Sequence, residues 1–161
     1  MEFKRLKDKV IVISGGTKGV GRAFAEVAGR EGARVVIGGR DEKAGKEAVR
    51  NIRTFGSEGL FVHCDLLKVD DCRNLFDAGY EKFGKIDGFF NYAGVTPVSP
   101  LDACDEETFD WVMDVNFKAA FFCCQKAVKY MRMNGGGSIV LTGSAHGWGG
   151  QKDRAAYACS K

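Results

Sequence analysis

The stretch SGGTKGVG at residues 14–21 follows the apolar run VIVI at residues 10–13 and precedes a segment with helical periodicity. Its glycines at 15, 19 and 21 therefore lie at a strand-to-helix turn. Glycine tolerates positive φ and lets backbone N–H groups approach a phosphate closely, while the following helix directs its positive dipole end to the same anion. A surface turn needs only one such glycine, so this spacing and context predict a phosphate-binding loop.

Short apolar segments alternate with helical segments five times along the chain. The predicted strands cover residues 10–13, 35–37, 60–62, 86–91 and 138–141, and the main helices follow residue 21 and cover 42–55, 72–83 and 106–131. This alternation predicts an α/β fold with a Rossmann-type, doubly wound parallel sheet, and residues 1–161 form a single dinucleotide-binding domain. Ligands on such sheets bind at the carboxyl ends of the strands.

The composition is that of an ordinary globular protein, with 45% hydrophobic and 28% charged residues. The net charge of +3 is too small to indicate nucleic-acid binding. Neither an apolar signal core nor an apolar span of membrane length is found, so we expect a cytoplasmic protein without a membrane segment. The six cysteines show no paired spacing and only two histidines are present, which indicates reduced thiols and no metal site.

The choice of nucleotide depends on two positions in the sequence. A P-loop ends in Gly-Lys-Ser/Thr, but Lys18 is followed by Gly19, so a dinucleotide is favoured over a nucleoside triphosphate. The second strand ends at residues 38–40, Gly-Gly-Arg, without the carboxylate that holds the ribose of NAD. Arg40 suits a phosphate and Lys18 supplies a second positive charge, so NADP(H) is favoured over NAD(H). Asp41 is expected to be a helix N-cap, and the alternative for Arg40 is a solvated surface arginine.

Three residues after the fifth predicted strand can carry acid–base chemistry. Tyr157 and Lys161 are four residues apart and share a face if the segment is helical. An ammonium beside a phenol lowers a pKa that starts near 10, so such a tyrosine can act as an acid or base near neutral pH. Ser144 does not fit the hydrolase pattern Gly-x-Ser-x-Gly, because Thr142 and His146 occupy the outer positions.

The predicted helix over residues 106–131 has an apolar stripe that contains one amide, Asn116. The stripe consists of Phe109, Val112, Met113, Phe117, Ala120, Phe121 and Cys124. A buried amide is costly unless it is hydrogen-bonded, and one interpretation is that Asn116 bonds to local backbone. The phenylalanines at 117, 121 and 122 belong either to the core or to a subunit interface.

Taken together, these motifs resemble the short-chain dehydrogenase/reductase family. The pattern is most similar to that of NADP(H)-dependent 3-oxoacyl-carrier-protein reductases and related alcohol dehydrogenases. The resemblance covers essentially the whole chain. The motifs are the glycine loop with Ser14 in place of the usual threonine, Asp65 after the third strand, NYAG at 91–94 in place of the usual NNAG, Asn116, Ser144 and Tyr157-x-x-x-Lys161. Tyr92 departs from the family pattern, and we expect it to have a local packing role.

The resemblance implies a role for each of the matching residues. Tyr157 donates the proton to a carbonyl, and Ser144 hydrogen-bonds the carbonyl oxygen. Lys161 lowers the tyrosine pKa and holds the nicotinamide ribose, while Asn116 anchors a water in the proton relay. Asp65 faces the adenine amino group. The implied cofactor-binding residues are Ser14, Gly15, Thr17, Lys18, Gly19, Val20, Gly21, Arg40, Asp65, Leu66, Asn91, Ala93, Gly94, Tyr157 and Lys161.

The resemblance thus implies an NADP(H)-dependent oxidoreductase that interconverts a small-molecule carbonyl and an alcohol by hydride transfer. A homodimer or homotetramer is implied for the complete protein. Family members continue beyond the motif lysine, so we expect the fold to be C-terminally incomplete, with the fifth strand as an exposed edge and residues 157–161 as a frayed turn. The 161-residue chain would then bind cofactor weakly and turn over little. The alternative is a truncated, catalytically inactive nucleotide-binding or interaction protein.

Overall fold

Five parallel strands form one sheet within residues 4–161, the part of the chain that the computed structural model describes. They are β1 (Val10–Ser14), β2 (Arg34–Gly39), β3 (Gly59–His63), β4 (Gly88–Asn91) and β5 (Ser138–Leu141). Their spatial order is β3-β2-β1-β4-β5, and every neighbouring pair is parallel. The predicted α/β fold is therefore confirmed. The strand order reverses between β1 and β4, and ligands bind at the carboxyl ends of strands at such a switch point.

The helices follow the strands as the alternating pattern predicts. They are α1 (Gly19–Arg30), α2 (Glu42–Thr54), α3 (Val69–Phe83), α4 (Glu106–Met113), α5 (Ala119–Met133), α6 (His146–Gly149) and α7 (Ala155–Cys159). A short 3-10 turn covers Leu101–Ala103, and a π-helical segment, Asp114–Lys118, joins α4 to α5. Within the described range, none of the helices has both the length and the apolar character needed to cross a membrane.

Helices cover both faces of the sheet, so the sheet is doubly wound. On one face, Ala25 and Ala28 of α1 and Ala48 and Ile52 of α2 pack with inward residues of β1 and β2. On the other face, α3 and α5 bury a larger cluster in which the rings of Phe76 and Phe89 meet edge to face at 5.0 Å. Small residues on α1 bring that helix close to the strands, which positions its N-terminus beside the end of β1.

The stripe predicted for the helix over 106–131 is wrong for three of its phenylalanines. Phe109, Phe117 and Phe121 are 45%, 58% and 57% exposed. The buried line instead contains Val112, Val115, Asn116, Ala119, Cys123 and Ala127. The π-helical segment adds a residue to the turn and rotates the faces on either side of it relative to each other, which a regular 3.6-residue period does not describe.

Strand β5 lies at one edge of the sheet and pairs only with β4 among the described strands. Val140 and Leu141 are each 54% exposed. This agrees with the expected exposed apolar edge.

Candidate functional site

The glycine loop packs against the end of β4, and two of its glycines cannot carry a side chain there. Gly15 has φ +75°, and a Cβ at this position would lie 2.9 Å from the backbone of Ala93. A Cβ at Gly21, the third residue of α1, would overlap the carbonyl oxygen of Gly15. The loop therefore folds back onto the first turn of α1 and leaves its backbone open toward the switch point.

A cleft of about 380 Å³ lies at the carboxyl ends of the central strands. Nine of the predicted cofactor-binding residues line it: Ser14, Gly15, Thr17, Lys18, Arg40, Asp65, Leu66, Ala93 and Gly94. Six others stand outside this lining: Gly19, Val20, Gly21, Asn91, Tyr157 and Lys161. The structure thus brings together the residues that follow β1, β2, β3 and β4, as the position of a ligand at the ends of parallel strands requires.

Asn91 lies behind the cleft, where its hydrogen bonds connect the end of β4 to the ends of β1 and β5. Its side-chain Oδ1 accepts a hydrogen bond from the buried hydroxyl of Ser14 at 2.5 Å. Its carbonyl oxygen accepts from the N–H of Thr142 at 3.1 Å and from the Thr142 hydroxyl at 2.8 Å. Asn91 therefore fixes the ends of β1 and β4 and the segment after β5 relative to one another.

Among the charged side chains at the rim of the cleft, Lys18 has a partner that was not predicted. Lys18 Nζ lies 2.7 Å from Asp41 Oδ2, so its charge is already paired. Asp41 caps α2 as predicted, since its Oδ1 accepts from the Ala44 N–H at 3.0 Å. This backbone hydrogen bond and the one from Lys18 hold the pKa of Asp41 below its ordinary value. Arg40 is exposed and makes no salt bridge with any residue in the range 4–161.

Asn116 lies in the π-helical segment and is 4% exposed. Its Oδ1 accepts from the Val95 N–H at 2.7 Å, while its Nδ2 donates to the Val95 carbonyl at 2.8 Å and to the Ser160 hydroxyl at 2.9 Å. The amide is thus fully bonded, but its partners are distant in sequence, so the interpretation that it bonds to local backbone is wrong. These bonds join the loop after β4 to the end of α7.

The remaining predicted catalytic residues lie around α6 and α7. Lys161 Nζ donates to the Thr142 carbonyl at 3.0 Å. The Ser144 hydroxyl oxygen accepts from the His146 N–H at 3.2 Å, and the His146 ring centroid is 6.3 Å from that of Tyr157. Among the described side chains, no hydrogen bond joins Tyr157 to Lys161. Helix α7 covers Ala155–Cys159, so it contains Tyr157 and ends before Lys161, whereas the expected frayed turn covered residues 157–161.

The cleft and two of the predicted catalytic residues, Asn116 and Lys161, meet at Gly94. A Cβ at this position would lie 3.1 Å from Asn116 Oδ1 and 3.5 Å from Lys161 Nζ. Gly94 also lines the cleft. A group held in the cleft can therefore extend past Gly94 toward the lysine that follows α7.

Several lining residues were not predicted from the sequence. Trp111 and Val115 line the cleft from α4 and the π-helical segment. They are four residues apart, and this apolar pair was the only sequence signal for them. Tyr92 also lines the cleft, and its ring packs 6.0 Å from that of Phe90.

Three buried cysteines, Cys64, Cys72 and Cys123, belong to the core cluster under α3 and α5, and Cys64 also reaches the cleft. The neighbouring Cys72 thiol and burial raise the pKa of Cys64 and of Cys123, so both stay protonated thiols. All six cysteines are free. No cluster of three or more potential metal ligands occurs between residues 4 and 161.

Comparison with known proteins gives one family. The sequence profile of the family described as short chain dehydrogenase matches residues 9–161. A 3beta-hydroxysteroid dehydrogenase of Mediterraneibacter gnavus is 37% identical over 158 residues, which cover 98% of this chain and 57% of that protein. A cyclopentanol dehydrogenase of Comamonas sp. is 29% identical over 157 residues, which cover 98% of this chain and 63% of that protein. The chain therefore spans about three fifths of the length of these relatives.

Solved structures show the same similarity. An NADH-dependent reductase, A1-R′, in complex with NAD is 31% identical and superposes with a TM-score of 0.92 over 99% of this chain and 69% of that one. An NAD+-bound xylitol dehydrogenase is 28% identical, with a TM-score of 0.93 over 98% of this chain and 61% of that one.

Proposed function

Because the chain belongs to the short-chain dehydrogenase family, we propose that residues 1–161 form the dinucleotide-binding domain of an oxidoreductase that interconverts a carbonyl and an alcohol. The junction at Gly94 carries this proposal. There the cleft residues that suit a dinucleotide adjoin Asn116 and Lys161, which belong to the predicted catalytic set. A nucleotide site without chemistry would not need this adjacency.

The cleft has the features that a dinucleotide requires. Gly15 and Gly21 keep side chains away from the loop, so backbone N–H groups and the N-terminus of α1 can face a pyrophosphate. Apolar side chains line part of the cleft, Leu66 and Val115 among them, and suit a planar base. Asp65 stands beside them and supplies a carboxylate for an amino group.

We propose NADP(H) as the preferred cofactor, on the basis of residues 38–40. A Cβ at Gly39 would lie 2.7 Å from Thr17 Cγ2, so an acidic side chain cannot stand there unless Thr17 moves. Arg40 follows with a guanidinium that no described carboxylate neutralises. NAD is bound in both solved relatives named above, so family membership alone does not determine the choice.

Each of the predicted catalytic side chains has its own role in this reaction. A bound nicotinamide supplies or accepts the hydride. Tyr157 donates a proton to the carbonyl oxygen or removes it from the alcohol, and Ser144 donates a hydrogen bond to the same oxygen. Lys161, held by the Thr142 carbonyl, carries a positive charge at the junction with the cleft. Asn116 holds the loop after β4 and the end of α7 in register.

The substrate and the subunit contacts are also proposals. The relatives named above act on a 3beta-hydroxysteroid and on cyclopentanol by their names, and a small secondary alcohol or its ketone is the substrate class we propose. The exposed phenylalanines of α4, the π-helical segment and α5 provide an apolar surface that suits a second copy in a homodimer or homotetramer.

A hydride-transfer assay tests the proposed function. NADPH oxidation, followed at 340 nm with a panel of ketones, should be measured for the 161-residue chain and for the longest protein expressed from its reading frame. We expect little turnover from the 161-residue chain, and turnover from the longer product that Tyr157→Phe lowers by at least about 100-fold without loss of cofactor binding. Cofactor binding without turnover at either length would favour the catalytically inactive alternative. Turnover that Tyr157→Phe leaves intact would contradict the proposed role of the tyrosine.

A further inference from the structure

Two oppositely charged residues meet at the rim of the cleft, where the glycine loop approaches the end of β2. Lys18 immediately precedes α1, and Asp41 immediately precedes α2. Lys18 Nζ and Asp41 Oδ2 are 2.7 Å apart. Lys18 lines the cleft, whereas Asp41 stands just outside its lining. The carboxylate thus holds an ammonium group that would otherwise be available to a ligand in the cleft.

Asp41 is the fixed member of this pair. Its Oδ1 accepts from the Ala44 N–H at 3.0 Å, and its carbonyl oxygen accepts from the Gly45 N–H at 2.9 Å. Both bonds belong to the first turn of α2 and persist whether or not Lys18 is present. The lysine side chain is 75% exposed and flexible, so it can turn from the carboxylate to another anion.

Arg40 completes the charges at this rim. It lines the cleft and is exposed, and it forms no salt bridge within the described range. A phosphate at this position would be attracted by Arg40 and Lys18 and opposed by Asp41. To reach Lys18, the phosphate must displace the carboxylate that already occupies it.

We infer that Asp41 is a specificity-determining residue, whose carboxylate competes with the 2′-phosphate of NADP(H) for Lys18 and so limits the preference for NADP(H) over NAD(H). This inference rests on the proposed function. NAD(H) has a 2′-hydroxyl at this position and carries no charge that would compete. Asp41 therefore affects the affinity for one cofactor and leaves that for the other unchanged.

Asp41→Asn tests the inference, because asparagine caps a helix about as well as aspartate and removes only the charge. The probes are adenosine 2′,5′-bisphosphate and 5′-AMP, which differ by the 2′-phosphate alone. In isothermal titration calorimetry on the 161-residue chain, we expect Asp41→Asn to tighten binding of the bisphosphate by about two- to fivefold, the range of an exposed ion pair. Binding of 5′-AMP should not change.

Two further variants make the result specific. Glu42→Gln removes the same charge from the neighbouring residue, but Glu42 pairs with Lys46 at 2.6 Å, so we expect no change in the affinity for the bisphosphate. In a chain that already carries Lys18→Met, adding Asp41→Asn should not tighten binding of the bisphosphate. The inference would be overturned if Asp41→Asn and Glu42→Gln changed the affinity for the bisphosphate equally. It would also be overturned if Asp41→Asn still tightened that binding in the presence of Lys18→Met.

The outcomes also separate this inference from the proposed function. If the wild-type chain prefers the bisphosphate and Asp41→Asn leaves that preference unchanged, the inference is overturned and the NADP(H) preference stands. If 5′-AMP binds more tightly than the bisphosphate to the wild type and to Asp41→Asn, the NADP(H) preference is overturned, and the inference with it.

Discussion

At the scale of single residues, Asn116 is a buried amide whose hydrogen bonds connect two distant segments of the chain. Its three hydrogen bonds reach Val95 and Ser160, on two segments that lie far apart along the chain. The sequence predicted a polar residue within an apolar helix, and the cost of burying it indicated that it must be bonded. Its partners could not be predicted, because they lie 21 and 44 residues away and depend on the packing of α7 against the β4 loop.

Replacing Asn116 with alanine should therefore lower the free energy of unfolding by about 1–3 kcal/mol, since it removes three hydrogen bonds and leaves the part-buried N–H and carbonyl of Val95 without their partner. Urea denaturation measures the change. Asn134→Ala is the matched control, because Asn134 is exposed at the end of α5 and should cost no more than about 0.5 kcal/mol. Equal losses for the two variants would contradict the role assigned to Asn116.

Asp87 provides a test of pH dependence at the same scale. Its carboxylate accepts from the Val10 N–H at 2.8 Å and pairs with Lys85 at 3.0 Å. Burial raises the pKa of Asp87, but the hydrogen bond from Val10 and the contact with Lys85 outweigh it and hold the pKa below its ordinary value. The stabilisation is therefore fully present above the unfolded pKa of about 4 and is lost as the pH falls through the folded pKa.

We expect Asp87→Ala to lower the free energy of unfolding at pH 7 by about 1–3 kcal/mol and to flatten its fall on the acid side. Urea denaturation between pH 7 and pH 3 measures both effects. Asp110→Ala, at an exposed position on α4, serves as the control and should follow the wild-type curve. An Asp87→Ala curve parallel to that of the wild type over this range would contradict the assignment.

At the scale of secondary structure elements, the strands were predictable and one helix face was not. Strands buried on both sides are short apolar runs, and such runs mark β1, β2 and β3 clearly in the sequence. The faces of α4 and α5 failed because the π-helical segment Asp114–Lys118 interrupts the 3.6-residue period. As a result, Phe117 and Phe121 were assigned to the same face as the buried Asn116, whereas both phenylalanines face outward.

The exposed phenylalanines lead to an expectation for the assembly. If they form the proposed subunit interface, Phe121→Glu should reduce self-association at least about tenfold, because it places a charge in an apolar contact. Sedimentation velocity over a concentration series measures this. Lys129→Glu on the exposed side of α5 is the control and should leave association unchanged. Loss of association in both variants, or in neither, would contradict an interface at Phe121.

At the scale of the whole molecule, the alternation of strands and helices predicted a parallel sheet and a site at the carboxyl ends of its strands. The strand order β3-β2-β1-β4-β5 places the ends of β1 and β4 side by side, and the cleft opens there. The motifs that follow β1 to β4 therefore converge in space. The ion pair between Lys18 and Asp41 was not predicted. Each residue had a separate role in the sequence, Lys18 as a cation for the cofactor and Asp41 as a helix N-cap, and their contact depends on how the glycine loop approaches the end of β2.

The relative affinity of the 161-residue chain for NADPH and NADH tests the proposed function most directly. Fluorescence titration should give a lower Kd for NADPH than for NADH. Arg40→Ala should remove at least about tenfold of that difference by weakening NADPH binding alone, since a guanidinium–phosphate contact is a charge-assisted pair. Equal or tighter binding of NADH by the wild type would contradict the proposal.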